Sequence, residues 1–266
     1  MIELFIAVLL IPTITIAVWD RFMHRMSVNT RRVYRLSGLI GVPIHELAHA
    51  LVCIVFGMRI TRISFYQANQ ASGTMGFVDF RYSPYSLGHA LGLALQGIAP
   101  LLAGAAIVAL LIGSFNAVER PAGGVLPLLG WIAAVVESTL DSLLREASSG
   151  LLGVLIALFV LIVSMHAIPS LADIVTGLRG LIMLIVFMSA VVLAFELFGT
   201  YESQIGERFG NMVAWSLLWI EKSLWAMLYG AVSMVTLAIA GGILLILLPS
   251  AVLYCVDFVR GARGKV

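Results

Sequence analysis

Charged residues are scarce in this chain of 266 residues, because only 11% are Asp, Glu, Lys or Arg, against about a quarter in a typical soluble domain. The net charge is only +2, and no basic patch is interleaved with aromatic side chains, so a nucleic-acid partner is not expected. The two cysteines, Cys53 and Cys255, both lie in apolar stretches. They are interpreted as packing residues, and nothing in the sequence indicates a disulfide framework.

Apolar residues make up 61% of the chain, which is more than a single soluble core can bury. Stretches of about 20 apolar residues are long enough to cross the hydrocarbon core of a bilayer. The sequence therefore predicts an all-α integral membrane protein, a polytopic bundle of six or seven spans in one domain, residues 1–266. The six clearest spans are about Ile2–Trp19, Leu36–Phe56, Leu87–Phe115 with a break at Gly97 and Pro100, Leu151 to beyond Pro169, Gly180–Phe198 and Ser223–Val256.

The seventh span follows from the basic residues. The first loop, residues 20–35, is rich in arginine and is expected to be cytoplasmic, in a plasma membrane of bacterial type. The basic C-terminal tail is expected on the same side, which requires one more crossing. Either Val125–Leu140, which contains Pro127 and Glu137, crosses the membrane, or the long stretch Ser223–Val256 is divided in two.

One segment between the second and third spans has a different pattern. In Ile60–Tyr82, aromatic and β-branched residues flank the polar tract Gln67–Gly73, which predicts a β-hairpin. Because an unpaired strand edge cannot face lipid, this hairpin is expected at the membrane interface or covered by protein.

The second span contains the sequence His-Glu-Leu-Ala-His at residues 45–49. His45 and His49 are four residues apart and share one helical face, so both can bind the same Zn²⁺. Zinc lowers the pKa of a bound water to about 7, and Glu46 is placed to accept its proton and pass it to a leaving amine. An ionisable group at the bilayer centre costs about 2.5 kcal/mol or more, which favours a functional role.

A catalytic zinc site needs a third protein ligand. Asp173 is predicted to be that ligand, and His166 is the alternative, either as a ligand or as a donor to the oxyanion of the substrate. His166, Ser170 and Asp173 fall at i, i+4 and i+7, on one face of a helix. Ser170 is expected to hydrogen-bond to a ligand residue or to the backbone, and not to act as a nucleophile. Pro169 is expected to kink this helix and free backbone groups beside the site.

Other ionisable residues in apolar stretches are weaker candidates for the third ligand. They are His89, Glu137 and Glu196.

The stretch Gly41–Ala50, which reads Gly-Val-Pro-Ile-His-Glu-Leu-Ala-His-Ala, resembles the site-2 protease family of intramembrane zinc metalloproteases. The following hairpin, the sequence Gly97-Ile98-Ala99-Pro100 in the third span and an aspartate in a later proline-broken span add to the resemblance. The family normally has Asn-Pro-Asp-Gly around that aspartate, whereas here Pro169 is displaced from Asp173, which marks a divergent member.

The resemblance covers about residues 36–178 and implies that this region is the catalytic core, with additional spans at about 180–258. It implies zinc on His45, His49 and Asp173 and a general base at Glu46. It also implies a substrate that is a membrane protein or peptide, cut within or near the bilayer and presented as a strand added to the hairpin.

Two other functions remain open from the sequence. A non-proteolytic zinc-binding membrane protein, such as a transporter or sensor, is one, although a transporter needs several metal sites along a path and the sequence shows one cluster. An inactive protease-like scaffold is the other, although such a protein has no need to keep Glu46. Neither the substrate nor the oligomeric state is indicated by the sequence.

Overall fold

The computed structural model describes residues 28–67, 75–113, 118–121, 124–197, 204–252 and 254–255, together with 14, 15, 18 and 21. The predicted first span, Ile2–Trp19, lies outside the described residues apart from three positions. So do most of the polar tract at the hairpin tip, the basic C-terminal tail and the side chain of Glu196.

The described chain is mostly helical and contains one two-stranded sheet. In chain order the elements are α1 (Val28–Val55), β1 (Arg59–Ser64), β2 (Phe77–Arg81), α2 (Leu87–Gln96), α3 (Ala99–Ile112), α4 (Val125–Ser148), α5 (Leu151–His166), α6 (Leu171–Leu197) and α7 (Gln204–Gly241), which continues into a π-helical segment, Gly242–Leu247.

Within the described residues, four helices are long and apolar enough to cross a membrane, and the bent pair α2–α3 makes a fifth candidate. The four are part of α1, all of α4, most of α6, and the run Glu221–Val252 at the end of α7. Helix α5 is apolar but has only 16 residues. The chain thus has the character of a helical membrane protein, while the predicted count of six or seven spans is not confirmed.

The two uncertain segments of the sequence prediction are both helical. Val125–Leu140 lies within α4, whose 24 residues are enough for a crossing. The run Glu221–Val252 is one helix of 32 residues, so the described part of Ser223–Val256 is not divided into two crossings.

Proline determines two breaks between helices. Pro100 lies in the first turn of α3, where its missing N–H is tolerated, and α2 and α3 meet at an angle of 64°. The break predicted at Gly97 and Pro100 is therefore confirmed. The second break, Ala167–Ser170, separates α5 from α6.

A break near Pro169 was expected, but the expectation that His166, Ser170 and Asp173 share one face of a helix that is only kinked there is wrong. Helix α5 ends at His166, so the predicted span from Leu151 does not continue through Pro169. The proline has no N–H to donate, and its ring would clash with the preceding turn of a helix.

The hairpin is confirmed. Strands β1 and β2 are antiparallel, with Ser64 opposite Phe77 near the tip. The hairpin folds back along α1, because the Tyr66 hydroxyl donates to the Arg35 carbonyl at 2.8 Å and Gly76 packs against Glu46. One side of the hairpin is therefore covered by protein, which was one of the two predicted environments.

Helix α6 packs against α2 through glycine. A Cβ atom added to Gly97 would lie 2.9 Å from the Gly177 Cα, and one added to Gly180 would lie 2.2 Å from the Ala94 backbone nitrogen. Small residues allow the two backbones to approach closely, as is common between membrane helices. Only 11% of an apolar 18-residue stretch of α6 is buried in the protein, so most of the surface of this helix is available to contact lipid.

Candidate metal centre

Three ligand atoms from two helices converge at one point. The Nε2 atoms of His45 and His49, one turn apart on α1, are 3.3 Å from each other. Asp173, in the first turn of α6, places Oδ1 3.2 Å from the His49 Nε2 and Oδ2 3.7 Å from the His45 Nε2. The structure therefore brings together the three residues that the sequence analysis proposed as ligands, and this group could hold a metal ion.

The orientation of His45 is set by a backbone carbonyl. Its Nδ1 lies 2.6 Å from the carbonyl oxygen of His166. Because a carbonyl can only accept, Nδ1 must carry the hydrogen, and in the neutral ring Nε2 then has the lone pair. That lone pair is directed toward Asp173 and His49.

The orientation of His49 is set by Gln96 on α2. The Gln96 Nε2 donates to the His49 carbonyl and to the Cys53 sulfur, each at 3.0 Å, so its Oε1 is the atom 2.5 Å from the His49 Nδ1. An amide oxygen only accepts, which again places the hydrogen on Nδ1 and the lone pair on Nε2. Gln96 is only 1% exposed, so its amide is fixed by these partners inside the protein.

Asp173 is held by the N-terminus of its own helix. Its Oδ2 accepts from the backbone N–H and the hydroxyl of Ser170, both at 2.7 Å, and its own N–H donates to the Ser170 Oγ at 3.2 Å. This is the reciprocal arrangement of a capping box. Ser170 thus supports the carboxylate, and Oδ1 remains directed at His49.

The geometry fits zinc. A tetrahedral ion with Zn–N bonds of about 2.0–2.1 Å separates its ligand atoms by about 3.3 Å. The two Nε2 atoms are 3.3 Å apart and the Asp173 Oδ1 is 3.2 Å from the His49 Nε2, while the 3.7 Å distance to the His45 Nε2 belongs to the other carboxylate oxygen, Oδ2. Imidazole nitrogen and carboxylate oxygen are both ordinary zinc ligands. The second ring nitrogen of each histidine donates to an oxygen, which is the usual outer shell of a metal-bound histidine. Two lone pairs and a carboxylate at this spacing repel one another, and either a cation between them or a proton on one of the rings relieves the repulsion.

A cavity of about 330 Å³ adjoins this centre, lined by all three candidate ligands and by Glu46. The Glu46 side chain is only 7% exposed. Gly76 packs directly against it, because a Cβ at residue 76 would lie 2.8 Å from Oε1. The cavity therefore contains a carboxylate that is not one of the three converging groups, with room for a further molecule beside them.

Strand β2 forms another wall of the cavity. Phe77 and Val78 both line it, although consecutive residues of a strand point to opposite faces. The cavity therefore contacts β2 from more than one face, and within the described residues β1 is the strand that pairs with it.

His166 lies elsewhere than the sequence analysis placed it. Its ring is not among the groups that line the cavity, and its Nε2 is 2.9 Å from the Ser37 Oγ. The residue contributes its carbonyl to His45 instead.

Two of the weaker candidates, His89 and Glu137, are not among the residues that line the cavity. The His89 Nδ1 accepts from the Ser83 N–H at 2.8 Å, and Glu137 is exposed on α4.

Gln96 is the residue that sequence reasoning missed. The sequence analysis gave it no place in the site, whereas the structure places its amide between His49 and Cys53. The available signal was a single amide in an apolar helix, because a buried polar group needs a hydrogen-bond partner.

Comparison with protein-family models, with curated proteins and with solved structures finds no match for this chain. A function is therefore inferred from the chemistry of the site alone.

Proposed function

We propose that this chain is an intramembrane zinc metalloprotease that cuts peptide bonds of membrane-embedded or membrane-near segments. The observation that supports this most is the convergence of His45, His49 and Asp173 with Glu46 on the same cavity. These groups lie on helices long and apolar enough to cross a bilayer, where ionisable residues are rare unless they have a function.

His45, His49 and Asp173 would hold the ion. When bound, zinc supplies Lewis acidity that makes water a nucleophile at neutral pH. Glu46 follows His45 on α1 and reaches the cavity, so its carboxylate accepts a proton from the attacking water and delivers it to the leaving nitrogen. The neighbouring helices and the hairpin limit the access of bulk water to these groups.

The edge of β2 supports an extended substrate. A peptide that pairs with this edge forms main-chain hydrogen bonds, as in other cases of strand addition. An extended segment also exposes the carbonyl that a helical substrate keeps in its own hydrogen bonds. Phe77, Val78 and Phe80 line the cavity, so apolar substrate side chains suit it, as expected for a membrane segment.

Purified protein tests the proposal directly. The zinc content is measured by mass spectrometry, and fragments of synthetic transmembrane peptides in lipid nanodiscs are identified after incubation. We expect one zinc per chain and cleavage that stops with a chelator and returns with added zinc. More than one tightly bound zinc together with zinc flux into liposomes would favour a transporter, and zinc without cleavage a sensor or scaffold.

Gly76→Ala is expected to reduce cleavage without loss of zinc. The new Cβ would lie 2.7 Å from the Glu46 Cγ and from the Val42 Cγ1, and 2.8 Å from the Glu46 Oε1, which is too close, so the Glu46 and Val42 side chains are expected to shift. Because a displacement of about 1 Å costs on the order of 100-fold in rate, we expect a loss of turnover approaching that size, measured on a cleaved peptide.

Gly130→Ala on α4 is the matched control, because a Cβ there meets nothing within 4 Å. Unchanged turnover in Gly76→Ala, or loss of its zinc, would contradict the assignment of Gly76 as the residue that makes room for Glu46.

A further inference from the structure

His166 contacts α1 at two separate points. Its carbonyl accepts from the His45 Nδ1 at 2.6 Å, and its ring nitrogen Nε2 lies 2.9 Å from the Ser37 Oγ. Ser37 and His45 are eight residues apart, which is about 12 Å along a helix. One residue therefore fastens the end of α5 to α1 over two helical turns.

The ring of His166 packs closely against one face of α1. Ser37, Gly41 and His45 follow one another at intervals of four residues and share one face of the helix. The ring lies over Gly41, where a Cβ atom would be 2.5 Å from its Cδ2. It also stacks on Tyr34, with ring centroids 4.5 Å apart and planes at 27°. Only glycine at position 41 leaves room for this ring.

The hydrogen bond to Ser37 has a defined direction. The Ser37 hydroxyl donates its one hydrogen to the Tyr34 carbonyl at 2.8 Å, so it can only accept from His166. The His166 Nε2 therefore carries a hydrogen and donates it. With the ring 5% exposed, stacked on one side and bonded at its tip, its orientation is fixed.

The His166 carbonyl is free for His45 because of the residues that follow it. In a continued helix this carbonyl would accept from the N–H of residue 170. Pro169 has no N–H, and the N–H of Ser170 donates to Asp173 instead, at 2.7 Å. The break between α5 and α6 thus has two effects. Helix α6 begins beside Asp173, and the His166 carbonyl is left free to accept from His45.

We propose that His166 is a positioning residue for the metal centre. Its ring, seated on Ser37 and Gly41, fixes the position of its own carbonyl, and that carbonyl fixes the tautomer and ring orientation of His45. A hydrogen bond of this kind also raises the basicity of a metal-bound histidine. The inference rests on the proposed metal site, and it gives His166 a role through its backbone, neither as a ligand nor as an oxyanion donor.

Metal affinity tests this role without any assay of cleavage. We expect His166→Ala to bind zinc roughly 10- to 100-fold more weakly, the range typical of outer-shell changes. We also expect a shift in the visible spectrum of the Co²⁺-substituted protein, which reports the ligand geometry. His166→Gln, which can restore a donor to Ser37, is expected to recover part of the affinity.

Gly41→Ala independently tests the packing of the His166 ring on α1, because the new Cβ would displace that ring. We expect it to weaken zinc binding as His166→Ala does, and the double variant to be no worse than His166→Ala alone, because the clash is then gone. Ser164→Ala is the control: this buried serine of α5 donates to the Val160 carbonyl, within its own helix.

Unchanged zinc affinity and an unchanged Co²⁺ spectrum in folded His166→Ala would overturn this inference and leave the proposed protease intact. Loss of zinc as complete as on removal of a ligand would overturn it too, in favour of the imidazole as a ligand. If the wild-type chain bound zinc but cleaved no peptide, the proposed protease function would be wrong. The zinc affinities of the variants would still test the role of His166.

Discussion

Glu46→Gln is expected to abolish detectable peptide cleavage while the protein keeps its zinc. Glutamine has nearly the same shape as glutamate, so it fits beside Gly76, but it cannot accept a proton from water. General acid–base catalysis contributes about 10²- to 10⁴-fold to a rate, and we expect turnover to fall by at least the lower figure. Single-turnover cleavage of a membrane peptide and the zinc content of the same sample measure both parts.

Glu137→Gln is the matched control for this change, because Glu137 also lies in a candidate span but is exposed on α4 and does not line the cavity. It is expected to leave cleavage unchanged. If Glu46→Gln were to cleave within a few-fold of the wild-type rate, Glu46 could not be the general base.

Asp173→Ala is expected to lose zinc and, with it, all cleavage. Only two histidines then remain, one fewer than the three protein ligands of ordinary catalytic zinc sites. The loss of affinity is expected to exceed the roughly 10- to 100-fold typical of outer-shell changes. Asp173→Asn tests the charge itself, because the amide oxygen can still accept from Ser170 while the carboxylate is gone.

Ser170→Ala tests the contribution of the serine hydroxyl apart from that of the Asp173 carboxylate. It removes the hydroxyl that donates to Asp173 at 2.7 Å but keeps the carboxylate, so weaker zinc binding is expected, without complete loss.

The matched control for the Asp173 variants is Asp141→Ala, which changes an exposed aspartate on α4 paired with Arg145 and should leave zinc bound. Full zinc occupancy and unaltered affinity in both Asp173 variants would exclude this residue as a ligand.

The parts of the fold that are predictable from the sequence depend on short-range patterns. The helix around His45 and His49 follows from a long apolar run and a spacing of one turn. The hairpin follows from aromatic and β-branched residues around a polar tract. The break at Pro100 follows from the missing N–H of proline, and the same chemistry pointed to freed backbone groups near Pro169, of which the His166 carbonyl is one.

The direction of a side chain after a helix break cannot be read from spacing. His166 and Asp173 were placed on one face because a kinked helix with unbroken spacing was assumed, whereas the break at Ala167–Ser170 directs them to different partners. A local signal for that break was present, because Ser170 and Asp173 have the spacing of a capping box, which starts a helix at Leu171.

The role of Gln96 depends on how α2 packs against α1, which no pattern within α2 reveals. The number of membrane spans could not be predicted for a related reason. The rule of one long apolar run per crossing does not fit the bent pair α2–α3 or the 16-residue helix α5.

The contact between Gly97 and Gly177 links two halves of the metal centre. Gln96, which orients His49, precedes Gly97, and Asp173 lies one turn before Gly177. Most of α6 is nevertheless left to lipid, and helices in a bilayer tilt to match its thickness. A change in the tilt of α6 is therefore expected to move Asp173, which α6 carries, and, through the contact of Gly97 with Gly177, the helix that holds Gln96 against His49.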